Sequence, residues 1–142
     1  MSTVITTVVL VILVAGGWFG YKKFNKPKPL DKSYFGSKWK EVQKLLSNKK
    51  MWPSAVIQAD NLLDEALKKL KLGGKSTGER LVKAQNYFTD NDAVWYGHKL
   101  RTKLDTDDKF KPSESNIKQA LLGIRQALKD IGALPRDKQR NR

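Results

Sequence analysis

The N-terminal stretch of this 142-residue chain carries no charged side chain between Ser2 and Tyr21. A helix rises about 1.5 Å per residue, so a stretch of this length can span the roughly 30 Å hydrocarbon core of a bilayer. Valine, isoleucine and threonine are frequent in it and favour strands in water, but a chain inside a bilayer must satisfy its backbone hydrogen bonds within one helix. We therefore predict a transmembrane anchor over residues 1–24.

Two other interpretations compete with the anchor. A cleaved signal peptide carries basic residues before its apolar stretch, whereas here they follow it, although the Ala-Gly-Gly at 15–17 resembles a cleavage site. A buried helix of a soluble core needs apolar neighbours on every side, and the rest of the chain is too polar to supply them. The anchor is the preferred interpretation.

Aromatic and basic side chains follow the apolar stretch at once, and we predict that they contact the membrane surface: Trp18, Tyr21, Lys22, Lys23, Lys26 and Lys28. Aromatic rings favour the headgroup level of a bilayer, and lysines close to a membrane end stay on the cytoplasmic side. Anionic lipid headgroups attract such lysines. We therefore expect a single-pass protein of the cell (inner) membrane, with its N-terminus outside and its C-terminal domain in the cytoplasm.

The formal net charge of +14 is concentrated beside the apolar stretch. Residues 22–50 hold ten lysines and two acids, and residues 136–142 hold four basic residues and one acid. Residues 51–135 are nearly balanced, with 14 basic and 11 acidic side chains. Clustered cations also attract nucleic acid, but their position favours lipid, so nucleic acid is the weaker prediction for a partner.

The chain contains no cysteine and one histidine, His98. Disulfides, thiolate chemistry and cysteine-based zinc sites are therefore excluded, and so is a multi-histidine metal site within one chain. We predict no cofactor and no metal.

Proline positions and apolar periodicity divide the rest of the chain. Pro27 and Pro29 impose extended geometry after the anchor. We predict a basic, proline-containing linker, a helical-bundle domain and a basic disordered tail over residues 25–35, 36–134 and 135–142. Apolar residues in the domain recur at three- and four-residue steps, which predicts helices that begin near Ser37, Pro53, Thr77, Ala93 and Ser113.

No segment alternates apolar and polar residues for long, so we expect no sheet. Helices that are apolar on one face must pack together, and the predicted fold is all-α, with a transmembrane helix and a small four- to five-helix bundle. Three tryptophans would supply much of its core volume: Trp39, Trp52 and Trp95.

Four polar residues of the predicted helices form a candidate polar site. Asp60 and Asp64 are one helical turn apart, close to an apolar stripe, where carboxylates can serve acid–base catalysis or hold a divalent metal. More often such a pair binds cations of a neighbouring helix, and His98 and Arg101, three residues apart on one helix face, are the natural partners. Both alternatives stay open on the sequence.

Three segments resemble a group of uncharacterised bacterial proteins whose domain is similar to the HEPN (higher eukaryotes and prokaryotes nucleotide-binding) helical bundles. They are the Ile-Gln-Ala-Asp-Asn-Leu-Leu-Asp at 57–64, the Thr-Gly-Glu-Arg-Leu at 77–81 and the Trp-Tyr-Gly-His-Lys-Leu-Arg at 95–101. The resemblance covers about residues 37–134. It implies a helical bundle and a homodimer, and many such proteins carry one N-terminal membrane helix.

In nuclease members of that superfamily, three residues cleave RNA: an arginine, the polar residue that follows it, and a histidine four to six residues after that polar residue. Arg101 matches the arginine, and Thr102 stands where asparagine is usual. The histidine is missing, because positions 106 to 108 are occupied by Thr106, Asp107 and Asp108. The resemblance therefore implies a protein that is not a ribonuclease, with no catalytic residue.

The preferred hypothesis is a membrane-anchored protein with a non-catalytic binding or scaffolding role. The alternative is a membrane-tethered domain that binds or processes nucleic acid or nucleotides with Asp60, Asp64, His98 and Arg101.

Overall fold

The computed structural model describes residues 2–24 and 28–138. These residues form six α-helices and one 3-10 turn, with no strand among them. The helices, α1 to α6, span Ser2–Phe24, Lys32–Leu45, Trp52–Lys69, Thr77–Ala84, Asn91–Thr106 and Glu114–Asp130. The all-α prediction is confirmed, and five helices, α2 to α6, form the bundle.

Side-chain caps fix where four of the helices begin. Asp31, Ser76, Asp90 and Ser113 each accept a hydrogen bond from a backbone N–H in the first turn of the helix that follows. These N–H groups have no partner inside the helix, so a side-chain acceptor stabilises the helix start. The Ser113 cap is reciprocal, because the Asn116 side chain accepts from the Ser113 N–H.

Helix α3 lies at the centre of the bundle and packs against α2, α4, α5 and α6. The longest helix–helix contact is between α5 and α6. The largest side chains that are fully buried come from α2, α3, α4, α5 and α6: Phe35, Leu63, Leu67, Leu81, Ile124, Leu128, Val56 and Val94. Of the three tryptophans, Trp39 is buried in this core, whereas Trp52 and Trp95 are only partly buried at its edge.

The helix that the sequence predicts at the N-terminus is present as α1, of 23 residues. The side chains of its middle part, from Val8 to Val14, are at least half exposed. Among the residues that the structure describes, no helix is both long enough and apolar enough to cross a membrane. The transmembrane part of the prediction is therefore not supported by the structure.

The predicted linker is wrong in its second half. Helix α2 begins at Lys32 rather than near Ser37, because Asp31 accepts hydrogen bonds from the backbone N–H groups of Ser33 and Tyr34. Phe35, assigned to the linker from the sequence, is fully buried in the core. The bundle therefore includes residues that precede position 36.

The predicted tail also differs from the structure. Ala133 and Leu134 are buried after α6, and Asp137 binds Lys129, so residues 135–138 are not a detached tail. Residues 139–142 lie outside the described part of the chain.

The predicted membrane-surface residues are only partly described. Trp18 and Lys28 are exposed. The side chains of Tyr21, Lys22 and Lys23, and the whole of Lys26, lie outside what the structure describes. Membrane contact by these six residues stays a prediction.

Candidate functional site

Asp60 and His98 form the centre of a polar cluster between α3 and α5. The Asp60 side chain lies among the apolar residues of α3 and is 0% exposed. His98 of α5 places its Nδ1 atom 3.2 Å from Oδ1 and 3.1 Å from Oδ2 of that carboxylate. A buried carboxylate is costly without a partner, so His98 gives Asp60 the hydrogen bond that its burial requires.

Arg101 is the third member of this cluster, one turn after His98. Its Nη1 atom lies 3.9 Å from an Asp60 carboxylate oxygen, and its Nη2 atom donates a hydrogen bond of 3.1 Å to the Asn61 side chain. Its Nε atom is 3.0 Å from the Asp105 carboxylate, although the alignment is not that of a hydrogen bond. Arg101 is therefore held from both sides, by α3 and by its own helix.

The far side of the His98 ring faces the first turn of α4. A Cβ atom at Gly78 would lie 3.8 Å from the His98 Nε2 atom and 3.7 Å from the Trp95 ring. Trp95 meets the imidazole edge-on, with ring centroids 5.8 Å apart. The His98 side chain is 15% exposed. When Nδ1 carries the proton and donates to Asp60, Nε2 is left as a hydrogen-bond acceptor in this partly open position.

Asp64 does not join the cluster; it binds Arg80 of α4. The Arg80 Nε and Nη2 atoms donate to the two Asp64 carboxylate oxygens at 2.6 and 3.0 Å, and its Nη1 atom donates to the Gly74 carbonyl at 2.6 Å. Both side chains are largely buried. This fork-shaped pair fixes α4 and the loop before it against α3.

The ionisation of this pair reflects its surroundings. Burial would raise the pKa of the Asp64 carboxyl, but the hydrogen bonds and charges of Arg80 and Lys68 outweigh it and hold that pKa below its usual value. The hydrogen bond to Asp64 raises the pKa of Arg80 in return. The pair is therefore ionised at neutral pH and serves as a structural bridge.

Sequence reasoning missed Arg80, although a signal was present. Arg80 precedes Leu81 and lies one turn before Ala84, and both of those residues are buried. Residues four apart share a face of a helix, so the position of Arg80 in a short amphipathic helix indicated an inward charge that needs a carboxylate.

The four predicted site residues therefore divide into two units. Asp60, His98 and Arg101 form one polar cluster, and Asp64 belongs to a separate ion pair with Arg80. Within the described residues, no group of three or more carboxylate or histidine side chains is placed to hold a metal ion. The cluster can orient an imidazole and hold a proton at Nε2, which are the abilities of a general base.

Comparison with protein-family models, with curated proteins and with solved structures found no match. The resemblance to the HEPN-like bundles stays a prediction of the sequence.

Proposed function

We propose that this chain is a membrane-anchored helical-bundle module with a non-catalytic binding or scaffolding role on the cytoplasmic side of the cell membrane. The observation that carries the proposal is the exposure of the apolar side chains of α1 from Val8 to Val14. The proposed contacts are with the bilayer and with anionic headgroups.

Exposure and charge of the N-terminal part support the anchor. Leu13 is 69% exposed and Val11 is 66% exposed, and water would be an unfavourable environment for a row of such side chains. The uncharged residues from Ser2 to Tyr21 of the sequence would form a helix about 30 Å long, close to the thickness of a hydrocarbon core. The lysines that follow the helix in the sequence favour a cytoplasmic position for the bundle.

Membrane fractionation of bacterial cells that express the full chain tests the anchor. The double variant Leu10→Arg, Leu13→Arg should move the protein from the alkaline-washed membrane pellet to the supernatant, because arginine at the centre of a span costs about 2.5–3.5 kcal/mol per residue. Val82→Arg, at an exposed apolar position of α4, is the matched control and should stay in the pellet. Wild-type protein in the supernatant would contradict the proposal.

The orientation can be tested separately, because the chain has no cysteine of its own. A thiol introduced by Thr3→Cys should react with a membrane-impermeant maleimide in intact spheroplasts, whereas one introduced by Asp108→Cys should react only after lysis. The opposite pattern would reverse the proposed topology.

The absence of catalysis is supported by the mutual pairing of the polar side chains. Asp60 is bound by His98, Arg101 is held by Asn61 and Asp105, and no second histidine exists in the chain. The HEPN-like assignment, and the homodimer that it implies, belong to this proposal. Purified full-length protein should leave single-stranded RNA intact, and Arg101→Ala should not change that result. Cleavage that disappears in Arg101→Ala would refute the non-catalytic role.

A second candidate function is the binding or processing of a nucleotide or nucleic acid, and one observation favours it. The His98 imidazole has its Nδ1 atom on a buried carboxylate and its Nε2 atom in a partly open position beside Gly78, as a general base requires. Saturable binding of RNA or a nucleotide that His98→Gln abolishes, with Lys99→Gln as the control on the same helix, would support this function over the first.

A further inference from the structure

A second polar region lies between α2, the end of α6 and the segment after α6. These elements line an open cavity of about 620 Å³. Six cationic side chains line it: Lys32, Lys40, Arg125, Lys129, Arg136 and Lys138. One carboxylate, that of Asp137, is present among the lining residues. We call this cavity the anion pocket.

Lys129 is the unusual residue of the anion pocket, because it is a lysine that is only 5% exposed. Its Nζ atom donates a hydrogen bond of 2.6 Å to the Asp137 carboxylate. A buried ammonium group is costly without an anion. The fold therefore holds Lys129 in a place that requires a negative charge opposite it.

The carboxylate that meets this requirement belongs to an exposed residue. Asp137 is 78% exposed and lies in the irregular segment after Pro135. The hydrogen bond and charge of Lys129 lower the pKa of the Asp137 carboxyl, with Arg125 acting in the same direction and burial opposing them. The pocket therefore stabilises an anion, and a single carboxylate leaves most of its positive charge unmatched.

Trp39 also lines the pocket, and its buried indole Nε1–H donates to no acceptor in the described structure. Gly36 also lines the pocket, and a Cβ atom there would meet nothing within 4 Å, so space remains beside α2. A phosphate group has more charge and more acceptor oxygens than a carboxylate, and it suits a cavity with several donors and excess positive charge.

We propose that the anion pocket binds a phosphate group, with Lys129 as its buried cation and with the carboxylate of Asp137 as a built-in competitor that leaves when the phosphate enters. The phosphate can belong to a lipid headgroup or to a small soluble molecule. Binding of a lipid phosphate rests on the proposed membrane anchor, since the pocket begins at Lys32, shortly after α1 in the sequence. Binding of a soluble phosphate does not depend on the anchor.

The test measures the midpoint of thermal unfolding of the full chain in uncharged detergent micelles. One arm adds inorganic phosphate at constant ionic strength, balanced with chloride, and the other adds phosphatidic acid to the micelles, balanced with phosphatidylcholine. A ligand that binds the folded state raises the midpoint in a saturable way. If both ligands raise the midpoint, the pocket accepts phosphate from a lipid as well as from a soluble molecule. If inorganic phosphate alone raises it, the pocket accepts only a soluble phosphate.

Four variants show whether the response comes from the anion pocket. Asp137→Asn should lower the midpoint without phosphate, should be restored by phosphate, and should bind it about tenfold more tightly because a charged competitor is gone. Asp108→Asn, an equal loss of charge at an exposed loop position, should respond like the wild type. Lys129→Met should abolish the rise in the unfolding midpoint. Lys40→Gln, at an exposed position, should weaken that rise, and it serves as the test if Lys129→Met does not fold.

Two results would overturn the proposal. If neither ligand moves the midpoint of the wild type or of Asp137→Asn, Lys129 and Asp137 form only a structural ion pair. A rise that Lys129→Met and Lys40→Gln both retain would place phosphate elsewhere on this basic chain and would also refute the proposal. Neither result bears on the membrane fractionation.

Discussion

The His98 Nδ1 atom lies within 3.2 Å of both carboxylate oxygens of Asp60, a side chain that is completely buried. This contact joins the central helix α3 to α5 through a polar bond inside an apolar interface. It also selects one tautomer, because a carboxylate accepts a hydrogen bond and the nitrogen facing it must therefore carry the proton.

The tautomer can be read directly, since His98 is the sole histidine. In the neutral ring, ¹⁵N chemical shifts should identify Nδ1 as the protonated nitrogen and Nε2 as the unprotonated one. Asp60→Leu should remove the preference, because leucine offers no acceptor; Asp105→Leu, which removes an exposed carboxylate near Arg101, should preserve it. Proton density on Nε2 in the wild type would contradict the geometry.

The loss of Arg80 should be among the most destabilising single changes at a polar residue. Arg80→Met leaves Asp64 partly buried without its main partner, which should lower the free energy of unfolding by about 3 kcal/mol. Arg80→Lys should recover little, because an ammonium group cannot donate to both carboxylate oxygens and the Gly74 carbonyl in the same geometry. Urea unfolding measures both, with the exposed Lys83→Met of the same helix as the control, which should change the free energy by less than about 0.5 kcal/mol.

The pH dependence of stability should carry the signature of Asp64. The folded-state pKa of its carboxyl lies below the usual value, so the folded protein binds fewer protons than the unfolded chain between the two pKa values. The stabilisation is therefore complete above the unfolded pKa and disappears as the pH falls through the folded pKa. Wild type and Asp64→Asn should differ in urea midpoint at pH 6 and converge as the pH falls through the folded pKa. A difference that persists in acid would assign the effect to packing.

Much of the bundle was predictable because its helices follow local rules. The apolar periodicity of α6 predicts its start near Ser113, and Ser113 is the N-cap of the helix in the structure. The start of α2 was missed because Gly36-Ser37 also resembles a helix start, and only the tertiary burial of Phe35 decides between the two. Local patterns did not contain that information.

The sequence predicts which residues belong to the candidate site, but it does not predict how all of them pair. His98 and Arg101 were expected opposite Asp60 and Asp64, and the structure brings the first three together. The partner of Asp64 depended on where α4 crosses α3, and a sequence pattern does not give the position of a short helix. A sequence pattern also does not predict the burial of Lys129, because this burial follows from the segment after α6 folding back over the side chain.

The crossing of α5 and α6 depends on a glycine, and its replacement should destabilise the bundle. A Cβ atom at Gly123 would lie 2.2 Å from the Ala93 carbonyl oxygen, which is backbone and cannot move without separating the helices. Gly123→Ala should therefore lower the free energy of unfolding by about 1–3 kcal/mol as overpacking does. Gly36→Ala is the matched control, because a Cβ atom there meets nothing within 4 Å and alanine favours a helix by about 1 kcal/mol over glycine. Opposite signs for the two substitutions in urea unfolding would confirm the close approach, and a stabilising Gly123→Ala would show that α5 and α6 lie farther apart.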